Sequence, residues 1–437
     1  MNLHALATAR AESAGPIGVG LIGAGKFASM FLAQVPTMPG LAIAAIADLK
    51  PDAARDRLRQ IGWSEERIAA VAIGEAAADV INADDVEVVI EATGDPLAGL
   101  AHGEAVIAAG KHLVMVNVEA DVLAGPALAA KARAAGLVYC LAYGDQPALI
   151  AEQVDWARAA GFDVAAAGKG TKYLPAFHAS TPDTVWQHYG LTADEAQAAG
   201  MNSQMFNSFL DGTKSAIEMA AVANACGLGV PADGLLFPPV GTDKLADVLR
   251  PKALGGVLER DGMVETISSL NRDGSEIDRD LRWGVYVVMK ATNDYASACF
   301  AQYGLPTDDS GQYAALYRPY HMIGLELGIS VYCAVLRGEA TGAPTAFRGD
   351  VAAIAKRDLK AGERLDGEGG FTVWGKLLPA RRSLAIDALP IGLAKDVVLR
   401  RDAVAGTVLT ADDVSVTVDP LVQALRTETK AMTAEEG

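Results

Sequence analysis

Six apolar residues, Ile17 to Ile22, run directly into Gly23-Ala24-Gly25-Lys26-Phe27-Ala28. The apolar positions that follow (Phe27, Met30, Phe31, Val35) repeat with helical spacing. No other stretch restricts the fold as much. A strand that turns through two glycines into a helix opens a parallel α/β unit, and such a turn suits a diphosphate. Gly23 permits the tight turn, Gly25 lets the backbone approach a pyrophosphate, and Ala28 allows close packing of helix on strand. Lys26 and Phe27 occupy the first helical turn, where unpaired N–H groups and the positive end of the helix dipole face the phosphates.

The next apolar run, Leu41 to Ala47, ends at Asp48, twenty residues beyond Ala28. A carboxylate at the end of a second strand accepts hydrogen bonds from both ribose hydroxyls, which favours NAD. Lys50 and Arg55 suit a 2′-phosphate instead, so NADP stays open. Val86 to Ala92 reads as a buried strand ending in Thr93-Gly94-Asp95-Pro96, with a helix following from about Leu100 to Ala109. Leu113 to Val116, a helical stretch near Pro126 to Ala135, and Leu137 to Tyr139 continue the pattern. Such alternation predicts a doubly wound parallel sheet with helices on both faces, an α/β Rossmann fold. Ligands of such sheets lie beyond the carboxyl ends of the strands, which points to Asp48, Thr93-Gly94, Asn117-Val118-Glu119 and Tyr143-Gly144-Asp145.

From about Gly161 the alternation is lost, and an α+β segment is expected over 161–345. Gly168-Lys169-Gly170-Thr171-Lys172-Tyr173 reads as a loop holding two lysines, with His178 beyond it. Asn207 lies in a polar-apolar stretch just before Asp211-Gly212-Thr213-Lys214-Ser215-Ala216-Ile217-Glu218, which opens a helix through Ala223. Asp211, Lys214, Ser215 and Glu218 have the spacing of one helix face. An apolar helix that carries two acids and a lysine at its start suits the reacting end of a carbonyl site; N-capping by Asp211 is the bland alternative. Trp283 to Met289 reads as a strand paired with the stretch from Gly262. Arg318, before an apolar helix from about Met322 to Leu336, is a candidate grip for a phosphate or carboxylate. His321 is equally suited to a core edge.

RDLKAGERL at 357–365 recurs as RDAVAGTVL at 401–409, at a constant offset of 44 residues. Two copies are too few for a solenoid but enough for a small pseudo-symmetric β unit. The expected domains are therefore 1–160, 161–345 and 346–437. A helix over 319–337 is expected to pack back on the first, and the polar tail from Thr427 to fray.

Composition removes several classes. The 437 residues carry 37 Lys+Arg against 54 Asp+Glu, a net charge of −17, whereas a nucleic-acid binder needs a basic face. A hydrophobic content of 51% excludes a disordered chain. No uninterrupted apolar stretch approaches the ~18 residues of a membrane span, and the first residues, with Glu12, lack a signal-peptide core. Cys140, Cys226, Cys299 and Cys333 show no CxxC spacing and read as reduced thiols, which suits the cytoplasm. A symmetric homodimer or higher homo-oligomer is expected.

GLIGAGKFASMFL, AIAD, EATG, AGKHLVMVN and FLDGTKSAIEMAAVA together resemble the homoserine-dehydrogenase type of Rossmann oxidoreductase. The duplicated RDxxAGxxL unit resembles the SAF domain, a β-clip module. The combination is similar, over almost the whole chain, to the deoxyxylulose-5-phosphate reductoisomerase-like proteins of isoprenoid biosynthesis. That resemblance implies NADPH-dependent isomerisation and reduction of a sugar phosphate to methylerythritol phosphate, aided by a divalent metal. Asn117-Val118-Glu119 is similar to an Asn-Lys-Glu motif of the ordinary reductoisomerase, with Val118 standing where that motif has lysine.

On this reading Lys214 or Lys172 stabilises the developing alkoxide or delivers a proton, with Asp211 and Glu218 tuning it. Lys169, Asn207, Arg318 and Glu119 hold the substrate. Glu119, Asp211 and Glu218 supply oxygen ligands if Mg or Mn takes part. A plain dehydrogenase of a hydroxy acid or amino-alcohol is the nearest alternative. A non-catalytic nucleotide sensor is the other, against which the acid–lysine cluster speaks.

Overall fold

The computed structural model describes residues 2–198 and 200–434. They group into two units: Met1–Glu152 with His321–Thr345 and Pro420–Met432, and Gln153–Tyr320 with Ala346–Asp419 and the chain from Thr433.

The first unit is built on six parallel strands, β1 (Ile17–Ile22), β2 (Leu41–Ala47), β3 (Ala72–Gly74), β4 (Val88–Glu91), β5 (His112–Met115) and β6 (Tyr139–Leu141). Their order is β3-β2-β1-β4-β5-β6, the doubly wound Rossmann arrangement, which reverses direction between β1 and β4. Every residue of β1 and of β4 is buried, as strands covered on both faces must be. The helix expected over 322–336 is shorter: Gly324 sits at φ +78°, and regular helix runs only over Gly328–Tyr332, continued by a π-helical turn over Cys333–Arg337. Its Tyr332 hydroxyl donates to the Pro39 carbonyl at 2.7 Å, which ties it to this unit.

The tail expected to fray from Thr427 is instead the end of a helix, Pro420–Ala431, whose Val422, Leu425, Arg426 and Thr429 form a buried stripe. The stripe has a specific task. Helix Val118–Ala134 breaks at Ala124 (φ −154°, ψ 22°), two residues before Pro126. In an unbroken helix the Ala127 N–H would bond the Leu123 carbonyl. Here Arg426 donates to Leu123 O at 2.9 Å, and Ala127 N donates to Thr429 Oγ1 at 3.4 Å. The C-terminal helix thus satisfies these two groups, released at the break. Residues 435–437, the end of the expected third domain, lie outside the described residues.

Asp121 of the broken helix is fully buried; Tyr139 Oη donates to its Oδ1 at 2.6 Å, and burial pushes its carboxyl up to about 7. A carboxyl whose folded pKa is raised loses stability as pH climbs from its unfolded value toward the folded one, here across roughly pH 4 to 7. Asp121→Asn keeps the acceptor for Tyr139 and removes the charge. It is expected to stabilise the chain on the order of 3 kcal/mol at pH 8 and hardly at all at pH 4. Urea unfolding at both pH values checks this, and parallel curves for parent and variant would refute it.

The second unit carries β7 (Asp163–Thr171), β8 (Met263–Ser268), β9 (Val285–Lys290) and β10 (Tyr313–Arg318) in the order β10-β9-β7-β8. Two expectations fail here. β8 pairs in parallel with β7, not with β9, and the lysine-bearing "loop" from Gly168 to Thr171 is the end of β7. The reason lies in the glycines. A Cβ at Gly168 would stand 1.7 Å from Glu265 O, and one at Gly170 1.9 Å from Leu281 O, so these glycines admit close neighbouring backbone and do not loosen the chain.

Five further strands follow: β11 (Gly349–Ala355), β12 (Arg364–Asp366), β13 (Val373–Pro379), β14 (Lys395–Leu399) and β15 (Val414–Ser415). β11 pairs with β13, and β12-β14-β15 form a small antiparallel sheet. The sequence repeat is a pseudo-two-fold. Leu359 and Ala403, 44 residues apart, exchange both backbone hydrogen bonds (2.8 and 3.0 Å). Asp358 Oδ1 accepts from Ala405 N and Asp402 Oδ1 from Ala361 N, each at 2.9 Å, so each copy caps the other at equivalent positions. Helix Thr213–Cys226, buried along most of its length, packs against β8, β11 and β13.

Candidate functional site

In the first unit the candidate site is the turn between β1 and helix Lys26–Gln34. Gly23 has φ +92°, and a Cβ there would lie 2.7 Å from the Ala92 carbonyl and 2.9 Å from Thr93 N. That turn can only be made by glycine. Gly25 differs: a Cβ there meets nothing within 4 Å, which leaves open space at the helix start. Lys26 is exposed at the first helical position, and Ala28 is buried against the sheet. Asp48, just past β2, accepts from Ala24 N at 2.9 Å through Oδ2 and from Lys50 N at 2.8 Å through Oδ1. Arg57, a residue the sequence did not single out, donates to Ala24 O at 2.7 Å and stands 3.8 Å from Asp48. Arg55, by contrast, is held by Asp52 and the Ile73 carbonyl. The carboxylate and Arg57 therefore brace the glycine turn from below.

Thr93 and Gly94 follow β4 on an exposed segment, and the Thr93 hydroxyl donates to the buried Glu91 Oε1 at 2.5 Å. His102 Nδ1 lies 3.2 Å from the same oxygen. Asn117 is nearly sealed from solvent and spends both ends of its amide on the fold. Its Nδ2 donates to Asp95 O at 2.8 Å, and its Oδ1 caps Ala120 N at 3.1 Å. Glu119 is half-buried in the next helical turn.

In the second unit the candidate residues gather at the start of helix Thr213–Cys226. Asp211 is fully buried, its Oδ1 accepts from Thr213 N at 2.9 Å, and its Oδ2 forms an ion pair with Lys356 Nζ at 2.8 Å. Burial pushes the Asp211 carboxyl up, and Lys356 opposes that push. Lys356 Nζ also donates to Ser180 O and Gly370 O, each at 2.7 Å. Two helical turns on, Glu218 accepts from Lys169, and both are buried. The two carboxylates expected to tune Lys214 are thus paired with Lys356 and Lys169; Lys214 itself is half-buried.

Beside Asp211 runs a relay. The Asp211 carbonyl can only accept, so His178 Nδ1 carries the proton it shares at 2.7 Å. His178 Nε2 then accepts from Tyr173 Oη at 2.9 Å. Burial holds the imidazole below the usual histidine range, which keeps it neutral near pH 7. Trp374 of β13 stacks on the imidazole (centroids 3.8 Å apart), and Phe237 stacks on Tyr173 (3.9 Å). Phe237 has φ +50°, and its N–H together with Leu236 N donates to Glu265, whose carboxyl burial pushes up to about 7.

Lys172 donates to His188 O at 2.5 Å, and burial, reinforced by Arg282, lowers its pKa. Asn207 is fully buried between Ser180 and Gly369. Arg318 ends β10 with its guanidinium over the Tyr320 ring.

Residue reasoning missed Tyr173, Lys356, Trp374 and Glu265. The signal was present for Lys356 and Trp374 only as membership of the β segment that covers helix Thr213–Cys226. The metal expectation finds no support. The Asp211 and Glu218 carboxylates are each held by a lysine, a poor fit for a divalent cation, and among the described residues no group of three or more His, Cys, Asp and Glu is placed to hold a metal. Among the described residues no helix is long and apolar enough to cross a membrane.

No curated protein matches the chain. A probable dehydrogenase from Thermotoga maritima aligns at 13% identity over 74% of this chain and 90% of its own, with a TM-score of 0.39. KijD10, a 3-ketoreductase from Actinomadura kijaniata solved with NADP, aligns at 19% identity over 37% of this chain, with a TM-score of 0.26, and the chain spans 50% of its length. An inositol dehydrogenase homolog from Azotobacter vinelandii, solved with NADH and myo-inositol, aligns at 19% identity over 38% of this chain and 45% of its own, with a TM-score of 0.28. All three are low overall likenesses. Residues 144–327 match the family model described as oxidoreductase DRL, catalytic domain. That span contains Lys169, Tyr173, His178, Asp211, Lys214 and Glu218. The segment that bears the acid–lysine cluster is thus similar to an oxidoreductase catalytic domain, a likeness that covers residues 144–327 of the chain.

Proposed function

We propose that the chain transfers hydride between a nicotinamide dinucleotide and the carbonyl carbon of a small anionic compound. The observation that carries the reading is the glycine turn, closed at Gly23 and open at Gly25 beside a helix start. Bound there, the dinucleotide supplies the hydride chemistry. The second unit's residues handle charge and protons. Lys214 stabilises the developing alkoxide, and Lys172, with its lowered pKa, delivers the proton. The Tyr173–His178 pair holds the Asp211 carbonyl in place, and the Asp211–Lys356 pair keeps the start of helix Thr213–Cys226 rigid.

The test is a carbonyl screen with both reduced cofactors, following loss of reduced-cofactor absorbance, in the parent, Lys214→Met and Lys172→Met. Turnover unchanged in both variants removes these roles. Reductoisomerisation of 1-deoxy-D-xylulose 5-phosphate to 2-C-methyl-D-erythritol 4-phosphate is the finer reading, supported by the motif resemblance alone. A branched product identifies it, and a simply reduced product favours the plain dehydrogenase.

Asp48 favours NAD, because its carboxylate repels a 2′-phosphate at the end of β2. Arg57 beside it softens that preference. Asp48→Asn is therefore expected to shift the kcat/KM ratio toward NADPH about tenfold. An unchanged ratio means that the ribose does not meet this residue.

A further inference from the structure

At the far end of helix Thr213–Cys226, about 20 Å from Asp211 at 1.5 Å rise per residue, the second unit encloses a cleft of about 510 Å³, its open mouth included. Arg260, Arg348 and Arg381 line it, and among the described residues of the lining Glu259 is the one acid. Glu259 is engaged, since its Oε1 accepts from Ala232 N at 3.0 Å. A chain of net charge −17 has here gathered its opposite.

The arginines are placed, not merely present. Arg348 is fixed through its backbone: its N–H donates to Asn224 Oδ1 at 2.7 Å, and its carbonyl accepts from Ala380 N at 2.8 Å. Its Nε is shut off from solvent and has no hydrogen-bond partner among the described residues. Arg158 donates to the Cys226 carbonyl at 2.6 Å, and Arg381 Nε to the Ala434 carbonyl at 3.2 Å. Burial, and then the charges of Arg260 and Arg158, push the Arg348 guanidinium below its ordinary pKa. Among the described residues, none of Arg158, Arg260 and Arg348 has a carboxylate within ion-pair distance. Like charges held together, with a buried donor unspent, are unfavourable until an anion joins them.

We propose that this cleft binds the phosphate group of a small ligand, at a site separate from the residues around Asp211. Guanidinium forks match the oxygens of a tetrahedral dianion in pairs, and several of them together neutralise its two charges. The proposal does not depend on the oxidoreductase reading.

The test is calorimetric titration of the full chain with inorganic phosphate and with glycerol 3-phosphate, at ionic strength held constant with chloride. Saturable uptake is expected. Arg348→Gln and Arg260→Gln should each weaken it about tenfold or more, a loss of one charge-assisted contact. Lys214→Met and Gly25→Val should leave it unchanged, since they lie at the proposed carbonyl site and at the dinucleotide turn. Arg260 is exposed, so its variant keeps the test valid if Arg348→Gln folds poorly. Tighter uptake of the ester identifies a phosphorylated metabolite, and equal uptake identifies free phosphate; both support the site. Absence of saturable uptake, uptake untouched by both arginine variants, or uptake lost in Lys214→Met or Gly25→Val overturns it.

Discussion

Gly25→Val is expected to melt within about 2 °C of the parent and to lose at least 100-fold in dinucleotide affinity. Both halves follow from one observation. A side chain at Gly25 meets nothing within 4 Å, and its backbone lies at φ −74°, so valine enters without strain. The space it fills is the space a pyrophosphate would occupy against the helix start. Gly23→Ala, two residues earlier, is expected to behave in the opposite order. At φ +92°, with Ala92 and Thr93 backbone inside 3 Å of any Cβ, it should lose about 2–5 kcal/mol of stability before binding is even considered. Thermal melts paired with a titration of cofactor fluorescence separate the two cases. If Gly25→Val binds as the parent does, the turn is structural only.

Lys356→Met is the second change with a large expected effect. The lysine is buried with Asp211, and it also closes the Ser180 and Gly370 carbonyls. Removing it strands a buried carboxylate, which costs about 3–5 kcal/mol. The sign with pH is fixed. Burial already raises the Asp211 carboxyl, and without its counter-ion that rise is larger. Stability lost to a raised folded pKa disappears below the unfolded value and grows as pH rises, so the defect should be greater at pH 8 than at pH 5. Asp211→Asn added to Lys356→Met should recover part of the loss, because the amide oxygen can still accept from Thr213 N. Chemical unfolding of the three variants at both pH values checks this. A pH-independent defect, or no recovery in the double variant, would show that the pair is not coupled as described.

Local pattern sufficed where the signal was local. β1 and β2 lie where their apolar runs place them, and the glycine turn and Asp48 stand together, as the twenty-residue spacing implies. The 44-residue repeat likewise became a pseudo-two-fold, in which the equivalent residues Leu359 and Ala403 pair with each other. Pairing across long separations was not legible. β8 and β9 are both buried strands, and nothing in either says that β7 inserts between them.

Gly168 and Gly170 misled because glycine marks both loose chain and close backbone approach, and only the neighbour 97 residues on (Glu265 against Gly168) decides which. The partners of Asp211 and Glu218 were read from helix spacing, which sees i+3 and i+4 neighbours, whereas the actual partners, Lys356 and Lys169, come from other strands and turns. The C-terminal helix carries a weaker local signal. Val422, Leu425, Arg426 and Thr429 have the i, i+3, i+4, i+7 spacing of a buried face, but two of the four are polar, because they serve a broken helix.

The turn at residues 23–25 bears most of the weight, and one titration weighs it. Purified chain is added to NADH and, separately, to NADPH, and the fluorescence of the reduced nicotinamide is followed. A saturating change with one dinucleotide bound per chain, half-complete below about 1 mM, is the predicted result. A flat response to both cofactors would contradict the account at its root.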